Sequence, residues 1–134
     1  MILLSEAKKK ELIELAKEAS RKAYAPYSKF KVGVALLAQN GKIYQGCNVE
    51  NASYSMTICA ERNAVFQAVA DGNKDFAAIF IYVDSDKSFP PCGACRQVLA
   101  EFAGDMLIFI GNRNTVSETT LIEILPERFT LTDE

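Results

Sequence analysis

The sequence has 134 residues, of which 49% are hydrophobic and 24% charged, and its formal net charge is −2. This length predicts a single domain spanning residues 1–134, and this composition is globular rather than disordered. A slightly acidic chain has no basic surface with which to neutralise phosphates, so we expect no nucleic acid polymer as partner. No apolar stretch approaches the ~18 residues of a membrane span, and the apolar run at residues 1–4 is too short for a signal peptide. We therefore expect a cytoplasmic protein with no membrane partner.

The first half of the chain predicts a helix followed by a β-hairpin. Apolar residues recur every three to four positions over residues 5–25, which indicates an amphipathic helix, and Pro26 ends it. An apolar strand is predicted over residues 32–38. Asn40-Gly41 is a typical two-residue hairpin turn and returns the chain as a strand over residues 42–48. These two strands are expected to be antiparallel.

In the second half, helices alternate with fully apolar strands. The predicted elements are helices at residues 59–71, 92–103 and 120–125 and strands at residues 77–83 and 106–110. Helices that separate buried strands indicate an α/β fold with three layers and a mixed central sheet. We expect the N-terminal hairpin of this sheet to be antiparallel and its later strands to be parallel.

Three cysteines form the most informative pattern. Cys92 and Cys95 have the C-x-x-C spacing that lets two thiolates bind one tetrahedral Zn²⁺, and Cys59 precedes another predicted helix. Three protein ligands leave the fourth position open, as in catalytic zinc sites, where the pKa of bound water falls to about 7. The sequence contains no histidine, so acid–base chemistry falls to other groups. Glu61, two residues after Cys59, is the candidate proton shuttle.

A catalytic zinc site at these cysteines has two further requirements, one for its net charge and one for the direction of its side chains. Three thiolates outweigh Zn²⁺ and leave a net charge of −1, which would acidify bound water poorly. Arg62 and Arg96 follow Cys59 and Cys92 by three and four residues, so each arginine shares a helix face with its cysteine, and we expect both to hydrogen-bond the sulfurs. In a regular helix Cys59 and Glu61 would point in nearly opposite directions, so a shared site requires Cys59 at the non-helical cap.

The cysteine pattern has a known counterpart. Cys59-Ala60-Glu61 followed by Pro91-Cys92-Gly93-Ala94-Cys95 is the all-cysteine form of the zinc deaminase signature. Together with further matching stretches, it closely resembles the small homotetrameric cytidine deaminases, and the resemblance covers most of the chain. The further matches are residues 25–30, residues 46–52, Arg62, Arg96, Gln97 and residues 125–126.

This resemblance implies a reaction and a site. The reaction is hydrolytic deamination of cytidine and 2′-deoxycytidine to uridine and 2′-deoxyuridine with release of ammonia, a step of pyrimidine salvage. Glu61 would move protons from water to N3 and to the departing amine of cytosine, and burial could raise its pKa toward the operating pH. The metal would be one Zn²⁺ per subunit on Cys59, Cys92 and Cys95.

The same resemblance implies the substrate contacts and the assembly. Phe30 would lie against the base, and Asn48 and Glu50 would bind the ribose hydroxyls. A Glu50 carboxylate would repel phosphate, which favours a nucleoside over a nucleotide. The assembly would be a homotetramer with active sites at subunit interfaces. The remaining implied site residues are Ala52, Tyr54 and Ala60 in the pocket, Phe129 in a neighbouring subunit's site, and Gln97 in support.

Three alternatives stay open at this point. Cys47 could be a fourth ligand that closes the zinc site, although a free cysteine is also a common buried residue on strands. The C-x-x-C pair could be a thioredoxin-like redox pair, which would leave Cys59 and Glu61 unexplained. Within the deaminases, the substrate could be a cytosine-containing antibiotic nucleoside or free cytosine, although Asn48 and Glu50 favour a ribose.

Overall fold

The protein is described here by a computed structural model that covers residues 4–131, so most of the apolar run at residues 1–4 lies outside the described range. No helix within residues 4–131 is long and apolar enough to cross a membrane. The helices of this range are α1 (Glu6–Ser20), α2 (Ala60–Ala70), α3 (Gly93–Phe102) and α4 (Leu121–Ile124). The strands are β1 (Val32–Ala38), β2 (Ile43–Cys47), β3 (Phe76–Val83), β4 (Leu107–Gly111) and β5 (Val116–Thr120).

The five strands form one mixed sheet with the order β2-β1-β3-β4-β5. β3 and β4 are parallel, whereas β1 pairs with both β2 and β3 in antiparallel register and β4 pairs with β5 in the same way. α1 packs on one face of the sheet, and α2 and α3 pack on the other. The predicted three-layer α/β fold, its mixed sheet and its antiparallel hairpin are confirmed.

The apolar runs of the central strands follow from this layering. Along β1, Val34, Leu36 and Ala38 pack into the core under α2 and α3, while Ala35 and Leu37 pack into the core under α1. Successive side chains of a strand point to opposite faces, so a strand covered on both faces needs apolar residues throughout. For this reason β1 and β3 lack the alternation of polar and apolar residues.

A glycine on β2 sets the position of α2. A Cβ atom added at Gly46 would lie 2.5 Å from the carbonyl oxygen of Ala60 and 2.7 Å from the backbone nitrogen of Ala64. The first turn of α2 therefore packs directly against the backbone of β2. This close approach positions the part of α2 that carries Glu61.

Two elements differ from the sequence predictions. α1 ends at Ser20, because the following residues form tight turns in which Lys22 and Ala23 donate to carbonyl oxygens three residues earlier, and Tyr24 then donates to the Asn48 carbonyl oxygen. Pro26 therefore lies beyond the end of this helix. β5 was not predicted, since its polar and largely exposed residues carry no apolar pattern and its backbone pairing with β4 defines it.

Candidate active site

A pocket of about 550 Å³ opens beside the carboxyl ends of the parallel strands β3 and β4. Ile81 and Val83 of β3 and Gly111 of β4 contribute to its lining. In α/β sheets, ligands commonly bind at this edge, beyond the ends of the strands. The other walls come from the segment before β1, the start of α2 and the loop before α3.

Three cysteine sulfurs meet at the start of two helices beside this pocket. Cys59 is the N-cap of α2 and Cys92 is the N-cap of α3, while Cys95 lies in the first turn of α3. The three Sγ atoms lie within 4.8 Å of one another, and those of Cys92 and Cys95 are 3.4 Å apart. Both caps have extended backbone, with φ −69° and ψ 154° at Cys59. The non-helical cap that the shared site requires is therefore present.

The donor set fits a zinc ion. Hydrogen bonding from the Cys95 thiol, followed by that from Arg62, outweighs burial and lowers the pKa of Cys59 to about 5. Cys59 is thus a thiolate at neutral pH, while the same contact and burial raise the pKa of Cys95. Three soft sulfur ligands favour zinc among the common metals.

Cys47 does not belong to this cluster. Among residues 4–131, the group of potential metal ligands at this place consists of Cys59, Cys92 and Cys95. Cys47 lines a different cavity, next to Lys22 and Asn63, and burial raises the pKa of its thiol. The alternative of a closed site with Cys47 as fourth ligand therefore lacks support from the geometry.

Glu61 lies in the first turn of α2 and lines the pocket, with only 6% of its surface exposed. Burial is the main reason that its pKa is raised to about 7, and the nearby Cys59 thiolate raises it further. A carboxyl group with a pKa near neutrality can both accept and release a proton at physiological pH. The sequence predicted this property of Glu61 from its expected burial.

The two arginines behave differently from each other. Nη2 of Arg62 donates to the Cys59 sulfur at 3.5 Å, as expected. Arg96 does not follow the same expectation: its Nε donates to the Pro91 carbonyl oxygen at 2.8 Å and its Nη1 to the Ile124 carbonyl oxygen at 3.0 Å. The spacing of four residues places Arg96 on the same helix face as Cys92, but its N–H groups donate to nearby backbone carbonyl oxygens instead of to sulfur. Arg96 thus links the loop before α3 to α4.

The side chains of Asn48 and Glu50 are both buried at the pocket and are both bound to backbone. Asn48 accepts from the Val32 N–H at 2.9 Å and donates to the Phe30 carbonyl oxygen at 2.8 Å. Glu50 accepts from the N–H groups of Tyr27 and Ser28 and from the Ser28 hydroxyl. Together they hold the segment that carries Phe30, a function that the sequence did not reveal.

Burial tends to raise the pKa of the Glu50 carboxyl. The hydrogen bonds from Ser28 and Tyr27 outweigh this effect, with help from the nearby Lys29, and the pKa lies below its usual range. Glu50 is therefore ionised at neutral pH. A negative charge at this wall of the pocket is unfavourable for a phosphate group nearby.

The other predicted substrate residues divide into two groups. Phe30, Tyr54 and Ala60 line the pocket. Ala52 is exposed and is absent from the described lining, as is Phe129, which is 68% exposed. The lining also includes Ser28 and Phe89, which sequence reasoning missed. Their positions in loops before β1 and before α3 gave no periodic signal, although Phe89 directly precedes the Pro90-Pro91 pair of the cysteine motif.

Comparison with known proteins assigns the family. The family described as "Cytidine and deoxycytidylate deaminase zinc-binding region" matches residues 6–111. The chain belongs to this family. A cytidine deaminase from Sporosarcina psychrophila is 50% identical over 125 residues, which are 92% of either chain. A blasticidin-S deaminase from Bacillus cereus is 33% identical over 128 residues, or 90% of this chain and 91% of the other.

The fold of this deaminase family member agrees with solved structures. The crystal structure of cytidine deaminase from Burkholderia pseudomallei superposes with a TM-score of 0.86 at 45% sequence identity. The superposition covers 94% of this chain and all of that one. The deaminase fold therefore extends over nearly the entire chain.

Proposed function

We propose that this protein is a zinc-dependent cytidine deaminase that hydrolyses cytidine and 2′-deoxycytidine to uridine and 2′-deoxyuridine with release of ammonia. One observation carries the proposal: a buried carboxyl group with a pKa near 7 lies beside three clustered cysteine sulfurs in a pocket of nucleoside size. Residues 1–134 form its single domain. The thioredoxin-like alternative would give neither Cys59 nor Glu61 a function.

Cys59, Cys92 and Cys95 would hold one Zn²⁺ per subunit. When bound, zinc acidifies a water molecule and so supplies a nucleophile at neutral pH. Arg62 donates to the Cys59 sulfur and thereby draws negative charge away from a cluster of three thiolates. Arg96 contributes indirectly, because it holds the Pro91 carbonyl next to Cys92.

Glu61 is the proton carrier of the proposed reaction. Its carboxylate accepts one proton from water as the oxygen adds to C4 of cytosine and passes this proton to N3 of the ring. It then accepts the second proton from the hydroxyl group on C4 and delivers it to the departing amino group, so that the C4 carbonyl forms. One water is consumed, the C4–N4 bond breaks and ammonia leaves. Because its pKa lies near 7, Glu61 is poised for both directions of transfer at neutral pH.

Several features support a nucleoside substrate. Phe30 and Tyr54 provide aromatic surface for a base, while the Glu50 carboxylate disfavours a phosphate. Asn48 uses one of its two amide hydrogens for the Phe30 carbonyl oxygen, so the second remains for a ribose hydroxyl. Ala52 would contribute through its backbone, and Ala60 lines the pocket beside Glu61.

The active unit is proposed to be a homotetramer with active sites at subunit interfaces. Phe129 is held to α3 by Gln97 and exposes most of its ring, which suits a contact with the pocket of a neighbouring subunit. The proposed location is the cytoplasm, where pyrimidine salvage takes place and where a reducing environment keeps cysteine ligands free.

Ammonia release from cytidine by the purified protein tests this function, run beside the Glu61→Gln variant at equal zinc content. We expect rapid release by the wild-type protein and loss of most turnover in the variant. Blasticidin S and free cytosine are tested as alternative substrates, because one relative of this chain is named blasticidin-S deaminase. Faster deamination of either compound would show that this compound, and not cytidine, is the substrate. Equal activity of the variant and the wild-type protein would show that Glu61 is not the proton carrier.

A further inference from the structure

The loop between β3 and α3 carries one wall of the pocket. Phe89 and Pro90 of this loop line the cavity. The Phe89 ring meets the Phe30 ring edge to face, with centroids 4.9 Å apart and planes at 75°. This geometry is favourable for two aromatic rings, and here it joins a loop before α3 to the segment before β1. The two rings together form an aromatic corner of the pocket.

Asn112 connects this loop to the end of β4. It follows the pocket-lining Gly111 directly and is only 9% exposed, but it does not belong to the described lining. Its Nδ2 donates to the Asp86 carbonyl oxygen at 3.1 Å and to the Ser88 hydroxyl at 2.9 Å. Ser88 is the residue immediately before Phe89. This buried amide group thus holds the end of the loop next to the aromatic corner, while Arg113 and Asn114 bind the start of the loop at residues 84–86.

The oxygen atom of the same amide group is also fully hydrogen-bonded. Its Oδ1 accepts from the N–H of Asn114 at 2.8 Å, from the N–H of Thr115 at 2.7 Å and from the Thr115 hydroxyl at 3.2 Å. An inverted amide would place its NH₂ against these two N–H donors, so the network fixes its orientation. Asn112 therefore joins the loop before α3 to the turn between β4 and β5.

We propose that Asn112 is a positioning residue that holds Phe89 against Phe30, and that Phe89 contacts the base of the substrate. This inference rests on the proposed deaminase function. Asn112 acts through Phe89 because its own side chain is turned away from the cavity toward loop and turn backbone. Phe89 carries no group that can transfer a proton, so the pair affects how tightly the substrate binds rather than the chemical step.

Steady-state kinetics on cytidine with a double-mutant cycle test this inference. Asn112→Ala and Phe89→Ala should each raise KM roughly three- to tenfold, the range for a lost aromatic contact, with kcat changed less than about threefold. The double variant should not exceed the Phe89→Ala variant by more than about twofold, because both changes remove the same contact.

Two further variants separate positioning from stability. Asn112→Asp keeps the acceptor that the turn between β4 and β5 uses and replaces the two donors to the loop, so it should raise KM as Asn112→Ala does. Asn73→Ala removes a side chain that binds Tyr44 and Asn40 at the opposite end of the sheet. It should lower the melting temperature but leave KM within about twofold of wild type.

Nuclear magnetic resonance of phenylalanine-labelled protein gives a readout that does not depend on turnover. The ring-to-ring contact between Phe30 and Phe89 should be visible in the wild-type protein and weakened in Asn112→Ala. An intact contact in that variant, additive effects in the cycle, or an equal KM change in Asn73→Ala would overturn the inference. If the wild-type protein deaminates no nucleoside, the proposed function is wrong, and so is the proposed contact between Phe89 and the base. In that case the nuclear magnetic resonance contact between Phe30 and Phe89 by itself decides whether Asn112 positions Phe89.

Discussion

Gln97 and Phe129 are joined by two reciprocal hydrogen bonds. The Gln97 Nε2 donates to the Phe129 carbonyl oxygen at 3.0 Å, and the Phe129 N–H donates to the Gln97 Oε1 at 3.2 Å. One side chain thus satisfies both backbone groups of a residue that lies outside regular structure. Arg128 adds hydrogen bonds to the carbonyl oxygens of Ala100, Ala103 and Gly104, so the tail is tied to α3 and to the two residues that follow it.

Gln97→Ala should therefore reduce substrate binding if Phe129 completes a neighbouring pocket. Without its two hydrogen bonds the tail gains freedom, and we expect KM for cytidine to rise roughly three- to tenfold with kcat less affected. Gln67→Ala is the matched control, because Gln67 lies on α2 and donates to the Gln45 carbonyl oxygen on β2 instead of to the tail. Equal KM values for both variants would show that the tail is not part of the binding site.

Arg62 and Arg96 should respond differently to replacement by alanine. Arg62→Ala removes the donor to the Cys59 sulfur, so we expect kcat to fall by about tenfold or more while the protein stays folded. Arg96→Ala removes two hydrogen bonds to backbone carbonyls, so its main effect should be a loss of about 1–2 kcal/mol of unfolding free energy. Zinc content, kcat and thermal melting of both variants distinguish these outcomes, and a reversed pattern contradicts the assignment.

Gly46→Ala should disturb the zinc site, although Gly46 itself is not one of the proposed zinc ligands. The added Cβ would press on the Ala60 carbonyl oxygen and move the first turn of α2, which carries Glu61 and follows Cys59. We expect a loss of about 1–3 kcal/mol of stability, together with weaker zinc retention. At Gly104 an added Cβ would meet no atom within 4 Å, so Gly104→Ala should change neither property. Competition with a zinc chelator measures retention, and unchanged retention in Gly46→Ala would refute this positioning.

Glu50→Gln should lower stability in a pH-dependent way. The pKa of Glu50 is depressed in the folded state, so its ionised form stabilises the fold above the unfolded pKa of about 4.3, and this contribution is lost as the pH falls through the folded value. At pH 7 the variant should be less stable than wild type by ~1 kcal/mol, since hydrogen bonds to a charged acceptor are replaced by weaker ones. This difference should shrink below pH 4.

Thermal melting of both proteins between pH 3 and pH 7 checks this expectation. Glu14→Gln is the control, because Glu14 is exposed on α1 and accepts no comparable set of backbone hydrogen bonds among those described. A stability difference that stays constant with pH would mean that the charge of Glu50 does not stabilise the segment before β1.

Much of the site was predictable from the sequence because its signals are local. The C-x-x-C spacing, the cysteine two residues before Glu61 and the apolar strands each depend on neighbouring residues only, and the structure brings the three sulfurs within 4.8 Å of one another. The antiparallel hairpin was predictable for the same reason, because Asn40-Gly41 favours a turn at this place. The predicted two-residue turn was wrong: Ala38 pairs with Lys42, so the turn has three residues, and Gly41 takes the positive φ of 94°. Helix α1 was extended too far because its ending depends on pairing between Tyr24 and Val49, 25 residues apart.

The sequence by itself was enough to predict the groups proposed to carry the chemistry, which are three thiol ligands and one carboxyl group, and the continuous apolar strands of the core. Only the tertiary structure decided which partners the polar side chains take. Arg96 binds carbonyl oxygens instead of sulfur, Asn48 and Glu50 hold the backbone before β1, and Asn112 holds the loop of Phe89. The physical reason is that a buried donor or acceptor must be satisfied by whatever group the fold brings within about 3 Å, and such partners are distant in sequence.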